Sequence, residues 1–268
     1  MLKKLTLLYF CLVIVLVSCS QFESLEKGNF NKVKETGLQI KEALPPEFFP
    51  RDLNIVAAGD SLTQGVGDST NTGGYLPYLV EQLEGEKAVN KVNIANFGVR
   101  GNRADQLLER LASEKVKNSI KDADIIILTI GGNDLMKVVK ENFTNLELIH
   151  FKAEQAIFSD RLQKILTTIR QQNPEAPVVL IGLYNPFFQW FADVKEMNQI
   201  VDEWNGQSIS IIQQDENAFF VDIHDIFINN EENLLYKDYF HPNDRGYQLI
   251  ADRVYGILDR EVIDSLQN

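Results

Sequence analysis

The chain has 268 residues, 44% of them apolar and 24% charged, which is enough for one domain with a sizeable core and too apolar for a disordered chain. A formal net charge of −12 repels phosphate backbones, so nucleic acid is excluded as a partner, and an acidic surface gives no long-range pull toward anionic lipid. The two cysteines, Cys11 and Cys19, both lie near the N-terminus and the three histidines, His150, His224 and His241, show no ligand spacing, which excludes a disulfide framework, a thiolate cluster and a structural zinc site in the folded part.

Residues 1–18 read as a signal peptide. Lys3 and Lys4 form a basic n-region, and Leu5 to Val17 an apolar h-region. That stretch is short for a membrane-spanning helix, which needs about 20 apolar residues. "LVSC", Leu16 to Cys19, resembles the lipobox of bacterial lipoproteins. The resemblance implies cleavage before Cys19, a diacylglycerol thioether on its sulfur, and a cell-membrane anchor on the extracytoplasmic side. Two or three acyl chains anchor stably where one is marginal. Residues 19–50 are polar and end in "LPPEFFPRD", where Pro45, Pro46 and Pro50 break any helix. They read as a lipidated tether that reaches at most about 100 Å when extended.

From residue 51 to 268 the pattern changes. Five apolar, β-branched runs predict buried strands: 53–58, 91–97, 124–130, 177–183 and 218–223. Their near-continuous apolar character suits a parallel sheet covered on both faces. Between them run helical stripes: Leu76, Leu79, Val80, Leu83; Leu162, Ile165, Leu166, Ile169; Met197, Ile200, Val201, Trp204; and Tyr247, Ile250, Ala251, Val254. The alternation predicts a single α/β domain, a three-layer α/β/α sandwich around a five-stranded parallel sheet of flavodoxin-like type.

Ligands of such folds bind beyond the carboxyl ends of the strands. There the sequence reads "GDSLTQG", "GVRGN", "GGND", "YNPF" and "HDIF". Ser61 in the first is either a nucleophile or a turn residue and helix cap. It departs from the G-x-S-x-G elbow, because Thr63 stands at the second glycine. A serine nucleophile needs a base within about 3 Å. His150 reads as structural, on a helix away from any strand exit. His224 follows the fifth strand and also reads as structural. His241 lies in "YKDYFHPNDRGY", with Asp238 three residues upstream. That spacing lets one tight turn aim a carboxylate at Nδ1 while Nε2 points outward. The same string also suits a Pro-Asn turn capping a helix. "GVGDSTNTGG", 65–74, reads as a flexible Gly-rich loop, and the aromatics of 184–191 as core packing or as one wall of a pocket.

"GDSLTQG", "GVRGN", "GGND" and "DYFHPN" in this order resemble the four blocks of the SGNH, or GDSL-type, hydrolase superfamily, over about residues 53 to 258. The resemblance implies that Ser61 is the nucleophile, His241 its base and Asp238 the residue that orients His241. It implies an oxyanion hole from the Ser61 N–H, the Gly101 N–H and the Asn133 side chain. Gly98 is the alternative to Gly101, since "GVRG" offers both. Asp60 and Asp134 are expected to brace loops by accepting backbone N–H bonds. No metal or cofactor is implied.

The expected function is a membrane-tethered serine esterase or acylhydrolase acting on an ester-bearing small molecule, lipid or acylated glycan. Alternatives are a deacetylase of envelope polysaccharide, a lysophospholipase, or a non-catalytic lipoprotein that binds a partner on a hydrolase scaffold.

Overall fold

The computed structural model describes residues 49–187, 195–228 and 232–263. The predicted signal peptide, Cys19 and nearly all of the predicted tether lie outside the described residues, as do the aromatics 188–191.

The strands are β1 (Arg51–Gly59), β2 (Val89–Gly98), β3 (Ile125–Thr129), β4 (Val178–Ile181) and β5 (Ala218–Val221). They form one sheet in the order β2-β1-β3-β4-β5, every pair parallel. Each predicted run contains its strand or overlaps it closely. The order reverses direction at β1: the chain steps to β2 on one side and then to β3 on the other. The crevice between the ends of β1 and β3 is thus a topological switch point, where open α/β sheets place their ligands.

Helices cover both faces. They are α1 (Ser61–Gln64), α2 (Leu76–Glu84), α3 (Ala104–Leu111), α4 (Glu114–Lys121), α5 (Gly132–Glu141), α6 (Leu148–Gln172), α7 (Lys195–Ile212), α8 (His224–Ile228) and α9 (Asp244–Leu258). Alternate strand residues feed two cores. Val56, Ala58, Ile126, Leu128, Val178 and Leu180 pack with α3 to α7, under Leu107, Phe158, Leu162 and Trp204. Ile55, Ala57, Ile125, Ile127, Val179 and Ile181 face the other way, under Leu79, Leu83, Ile250 and Val254 of α2 and α9. A period of two on buried strands with both faces covered is what continuous apolar runs require.

The segment 65–74 departs from the expected flexible loop. It is wound around one carboxylate. Asp68, 6% exposed, accepts backbone N–H bonds from Thr70, Thr72, Gly73 and Gly74 and hydroxyl bonds from Thr70 and Thr72. The Tyr247 hydroxyl pins the loop from outside by donating to the Val66 carbonyl at 2.7 Å. Burial opposes the Asp68 charge, but these donors outweigh it and hold the carboxyl down at about 2, against an ordinary 3.8. Because the folded-state value is the lower one, Asp68 contributes stability above about pH 4 and loses it as pH falls toward 2.

Asp68→Asn is therefore expected to destabilise the fold by about 1–2 kcal/mol at pH 7 and by much less at pH 2.5. Urea unfolding at the two pH values measures this; an equal loss at both would contradict the ionic role.

Candidate active site

β1 ends at Gly59, and the chain turns at once into α1. The Asp60 side chain caps α1 by accepting from Leu62 N–H at 3.1 Å, which leaves Ser61 as its first residue, 3% exposed. Asp60 also accepts from the Thr129 hydroxyl at 2.9 Å, which joins the ends of β1 and β3. Thr129 bonds Thr63 at 2.8 Å, and Thr63 bonds Tyr75 at 3.2 Å. With Asp60 ionised, each hydroxyl donates toward the carboxylate: Tyr75 to Thr63, Thr63 to Thr129, Thr129 to Asp60. Burial nonetheless pushes Asp60 up to about 6, because these donors do not fully replace water.

The second strand exit is the turn 99–102. Gly98 is fixed by sterics: a Cβ there would sit 2.1 Å from the Gln64 backbone nitrogen, so β2 lies against α1 only with glycine at this position. Gly101 has a different constraint. Its φ is +82°, and a Cβ would meet nothing within 4 Å, because the residue faces the open cleft. Gln64 Oε1 accepts the Arg100 N–H at 2.5 Å. Arg110 of α3 ties the same region together, donating to the Asn102 side chain at 2.7 Å and to the Phe97 carbonyl at 2.5 Å.

The third exit opens α5 with Asn133 in its first turn. One amide N–H of Asn133 donates to the Asn102 carbonyl at 3.0 Å, which orients the other and links the second and third exits. Asp134, fully buried, accepts the Ala104 N–H at 3.0 Å and faces Arg161 at 3.4 Å. Burial pushes its carboxyl up to about 6 against those two favourable partners. Asp60 and Asp134 both accept backbone N–H bonds, as expected of loop braces.

The last contribution comes from the loop 236–241. His241 Nδ1 lies 2.7 Å from Asp238 Oδ2, while Asp238 Oδ1 accepts the N–H of both Phe240 and His241 at 3.0 Å. Partial burial opposes the Asp238 charge, but the His241 ring and the two N–H groups prevail and hold the carboxyl below its ordinary range. The turn needs Tyr239 at φ +56°, an uncommon conformation for a side-chain-bearing residue, and it brings residues three apart face to face. Tyr236 N–H donates to the His241 carbonyl at 2.7 Å, and the Tyr184 hydroxyl to the Phe240 carbonyl at 2.5 Å. Asn243 caps α9 by accepting from Gly246 N–H, so the string serves as helix cap and as Asp–His turn together.

Ser61, Gly101, Asn133, Asp238 and His241 all line one cleft of about 350 Å³. Gly98 does not. Neither the Ser61 N–H nor the Gly101 N–H has an acceptor among the described residues, so both can donate to an incoming oxygen. A neutral His241 bound through Nδ1 to a carboxylate keeps Nε2 as a proton acceptor. Beside the cleft lies a small apolar pocket of about 40 Å³, lined by Leu62, Leu135, Leu183, Tyr184, Pro186 and Val201 among others. Tyr184 and Pro186 thus supply one wall of a pocket. The other histidines lie elsewhere: His150 is on α6, and His224 opens α8, its Nδ1 2.8 Å from Asp202. The sequence reading missed Arg110 and Asp68, whose partners come from other elements.

Fold and site define an SGNH-type hydrolase, an ester-hydrolysing enzyme. Residues 57–249 match the model of the GDSL-like Lipase/Acylhydrolase family, and the chain belongs to that family. It is 36% identical over 252 residues to YpmR of Bacillus subtilis, an uncharacterized protein, covering 93% of this chain and 94% of that one. It is 28% identical to the spore germination lipase LipC of Bacillus licheniformis, over 77% of this chain and 99% of that one. Among solved structures, the lipase Lip_vut3 from a goat rumen metagenome superposes with a TM-score of 0.65 at 25% identity, over 76% of this chain and 96% of that one.

The raised value of Asp60 has a sign opposite to that of Asp68. A folded-state value of about 6 against 3.8 means the folded protein holds this proton more tightly, so the contribution is present below about pH 4 and lost as pH rises through 6. Asp60→Asn keeps an oxygen for Leu62 N–H and removes the charge. Relative to wild type, the variant should gain about 2 kcal/mol of stability between pH 4 and pH 7.5. Urea denaturation at both pH values checks it; a constant difference would contradict the buried-charge account.

Proposed function

We propose that this chain is a membrane-tethered, extracytoplasmic serine esterase that works through an acyl-serine intermediate. The observation that carries the mechanism is the convergence of Ser61, Gly101, Asn133 and the Asp238–His241 pair on one cleft.

Ser61 Oγ attacks the ester carbonyl carbon while His241 Nε2 takes the hydroxyl proton. The carbonyl oxygen becomes an oxyanion and accepts hydrogen bonds from Ser61 N–H, Gly101 N–H and the Asn133 amide. Losing one such donor typically costs about 3–4 kcal/mol of transition-state stabilisation. On collapse the bond to the alcohol oxygen breaks, and His241 returns the proton to the leaving alkoxide. Water then attacks the acyl-enzyme by the same route, releasing the acid and restoring Ser61. Asp238 fixes the His241 tautomer and stabilises the transient imidazolium. The apolar pocket beside the cleft takes the acyl chain.

Cys19 is the proposed lipidation site, after removal of residues 1–18, and residues 19–50 the tether. The support is the basic n-region, the apolar h-region and "LVSC".

Full-length protein in nonionic detergent is expected to hydrolyse 4-nitrophenyl acetate, and Ser61→Ala to lose at least about 10³-fold in kcat. Equal turnover by wild type and Ser61→Ala would overturn the mechanism. Cys19→Ser should release the protein from bacterial membranes; retention after fractionation would overturn the anchor.

A further inference from the structure

We propose that the hairpin of α5 and α6 is a membrane-docking crest. Its apolar tip, Phe143, Leu146, Leu148 and Ile149, enters the lipid bilayer and seats the mouth of the catalytic cleft against the membrane surface. The inference rests on the tethered reading above and adds how the domain meets the membrane.

α6 is 25 residues long, about 37 Å, against about 17 Å for the 5 residues of β3 in the same core. The C-terminal end of α6 is level with the amino edge of the sheet, where the Asn173 side chain donates to the Ile120 and Ala123 carbonyls just before β3. Phe158 stands at the opposite, carboxyl edge: a Cβ on Gly131, just past β3, would sit 2.9 Å from its ring. The segment from Leu148 to Ile157 therefore rises about 15 Å beyond the sheet, on the side of the cleft. α5 rises beside it, joined by Lys137 to Glu154 at 2.8 Å, and supplies Asn133, Met136 and Lys140 to the cleft. The crest is thus one wall of the cleft carried outward.

Among the described residues nine large apolar side chains are exposed, and five of them, Phe143, Leu146, Leu148, Ile149 and Ile157, fall within fifteen residues of this hairpin. Phe143 is 76% exposed and Ile149 66%. Two of the other four, Val99 and Tyr239, stand on the turns 99–102 and 236–241 that border the same cleft. α6 itself changes character where it leaves the sheet. Along the packed half its exposed face is polar, with Asp160, Lys164, Thr167 and Gln171, as a solvated helix requires. Along the projecting half the same face carries Ile149, Ala153, Ala156 and Ile157, with Lys152. Apolar exposure gathered in one place marks an interaction surface.

Lipid is the occupant that fits. Residues 137–157 carry three lysines and three glutamates, so the crest is locally neutral in a chain of −12; a second copy would meet it with the like charge of the whole chain, and a neutral bilayer would not. The proposed tether from Cys19 joins the domain at Arg51, on the amino edge of the sheet, and its reach of up to about 100 Å exceeds the length of α6. Tethering alone therefore lets either edge face the membrane, and the crest selects the carboxyl edge. Held within that radius, the tip meets the bilayer at a high effective concentration, so a few apolar side chains suffice.

The test uses the protein purified from bacterial membranes and reconstituted in phosphatidylcholine vesicles, with acylation at Cys19 read from its intact mass. An environment-sensitive fluorophore is attached through Phe143→Cys, Ile149→Cys or, as reference, the exposed Lys117→Cys on α4, and quenched by nitroxides on the lipid acyl chains. Labels at 143 and 149 are expected to be quenched at least about fivefold more than at 117. Leu146→Ser/Ile149→Ser should at least about halve the quenching at 143 and leave hydrolysis of soluble 4-nitrophenyl acetate unchanged, which shows the fold intact. Equal quenching at 143, 149 and 117 overturns the docking. Blue-shifted emission at 143 without quenching by lipid puts protein, a second copy included, on the crest and overturns lipid as its occupant. A missing acyl mass on Cys19 overturns the tether instead. Flotation of that protein with the vesicles, lost in Leu146→Ser/Ile149→Ser, would still support the crest; flotation that is absent, or unmoved by the substitutions, overturns it.

Discussion

The crevice between the carboxyl ends of β1 and β3 carries the rest of the site, and a buried hydroxyl–carboxylate clamp holds it. Thr129 ends β3, Asp60 follows β1, and their 2.9 Å bond joins the two strands where the sheet order reverses. Ser61 hangs from one side of that clamp and Asn133 follows from the other. The clamp has an electrostatic cost. Asp60 loses water and receives only a few donors, so its charge is tolerated rather than favoured. Thr63 and Tyr75 extend the donor chain inward and limit that cost.

The same edge of the sheet shows how donors set the behaviour of one residue type. Asp60 and Asp134 are pushed up by burial. Asp68 and Asp238 are held down, since each accepts several N–H bonds from its own turn. The division follows position. The raised pair brace the crevice from beneath; the lowered pair organise loops at its rim, and one of them holds His241. Asn102 joins the parts. Its carbonyl accepts from Asn133, its side chain from Arg110, and Gly101 precedes it. A shift in this turn would move two proposed oxyanion donors together.

The strands were legible because buried parallel strands are simple to encode: a short run of Val, Ile, Leu and Ala between polar breaks. The four long stripes, such as Leu162, Ile165, Leu166 and Ile169, were legible for the same reason at a period near 3.6. Helices α3, α4 and α5 were not. They are short and rich in charge, and their apolar faces, such as Leu107 and Leu111, span barely two turns. At the site, Ser61, Asn133, Asp238 and His241 were visible through local strings at strand exits. Arg110 and Asp68 were not, because their roles lie in partners brought by folding. Gly98 and Gly101 look alike in "GVRG", where the resemblance favours Gly101; the approach of α1 and the open cleft separate them physically. The glycines and polar residues of 65–74 suggested mobility, whereas the residues there supply N–H groups to a central carboxylate.

The central claim is that Ser61 is a nucleophile activated by the Asp238–His241 pair. The most direct measurement is peptide mass spectrometry after treatment with a small alkyl fluorophosphonate, which captures a serine that attacks and expels fluoride. The account predicts a single adduct on Ser61, formed in wild type and slowed at least about 10³-fold in His241→Ala. An adduct on another residue, or modification of Ser61 at the same rate without His241, would contradict it.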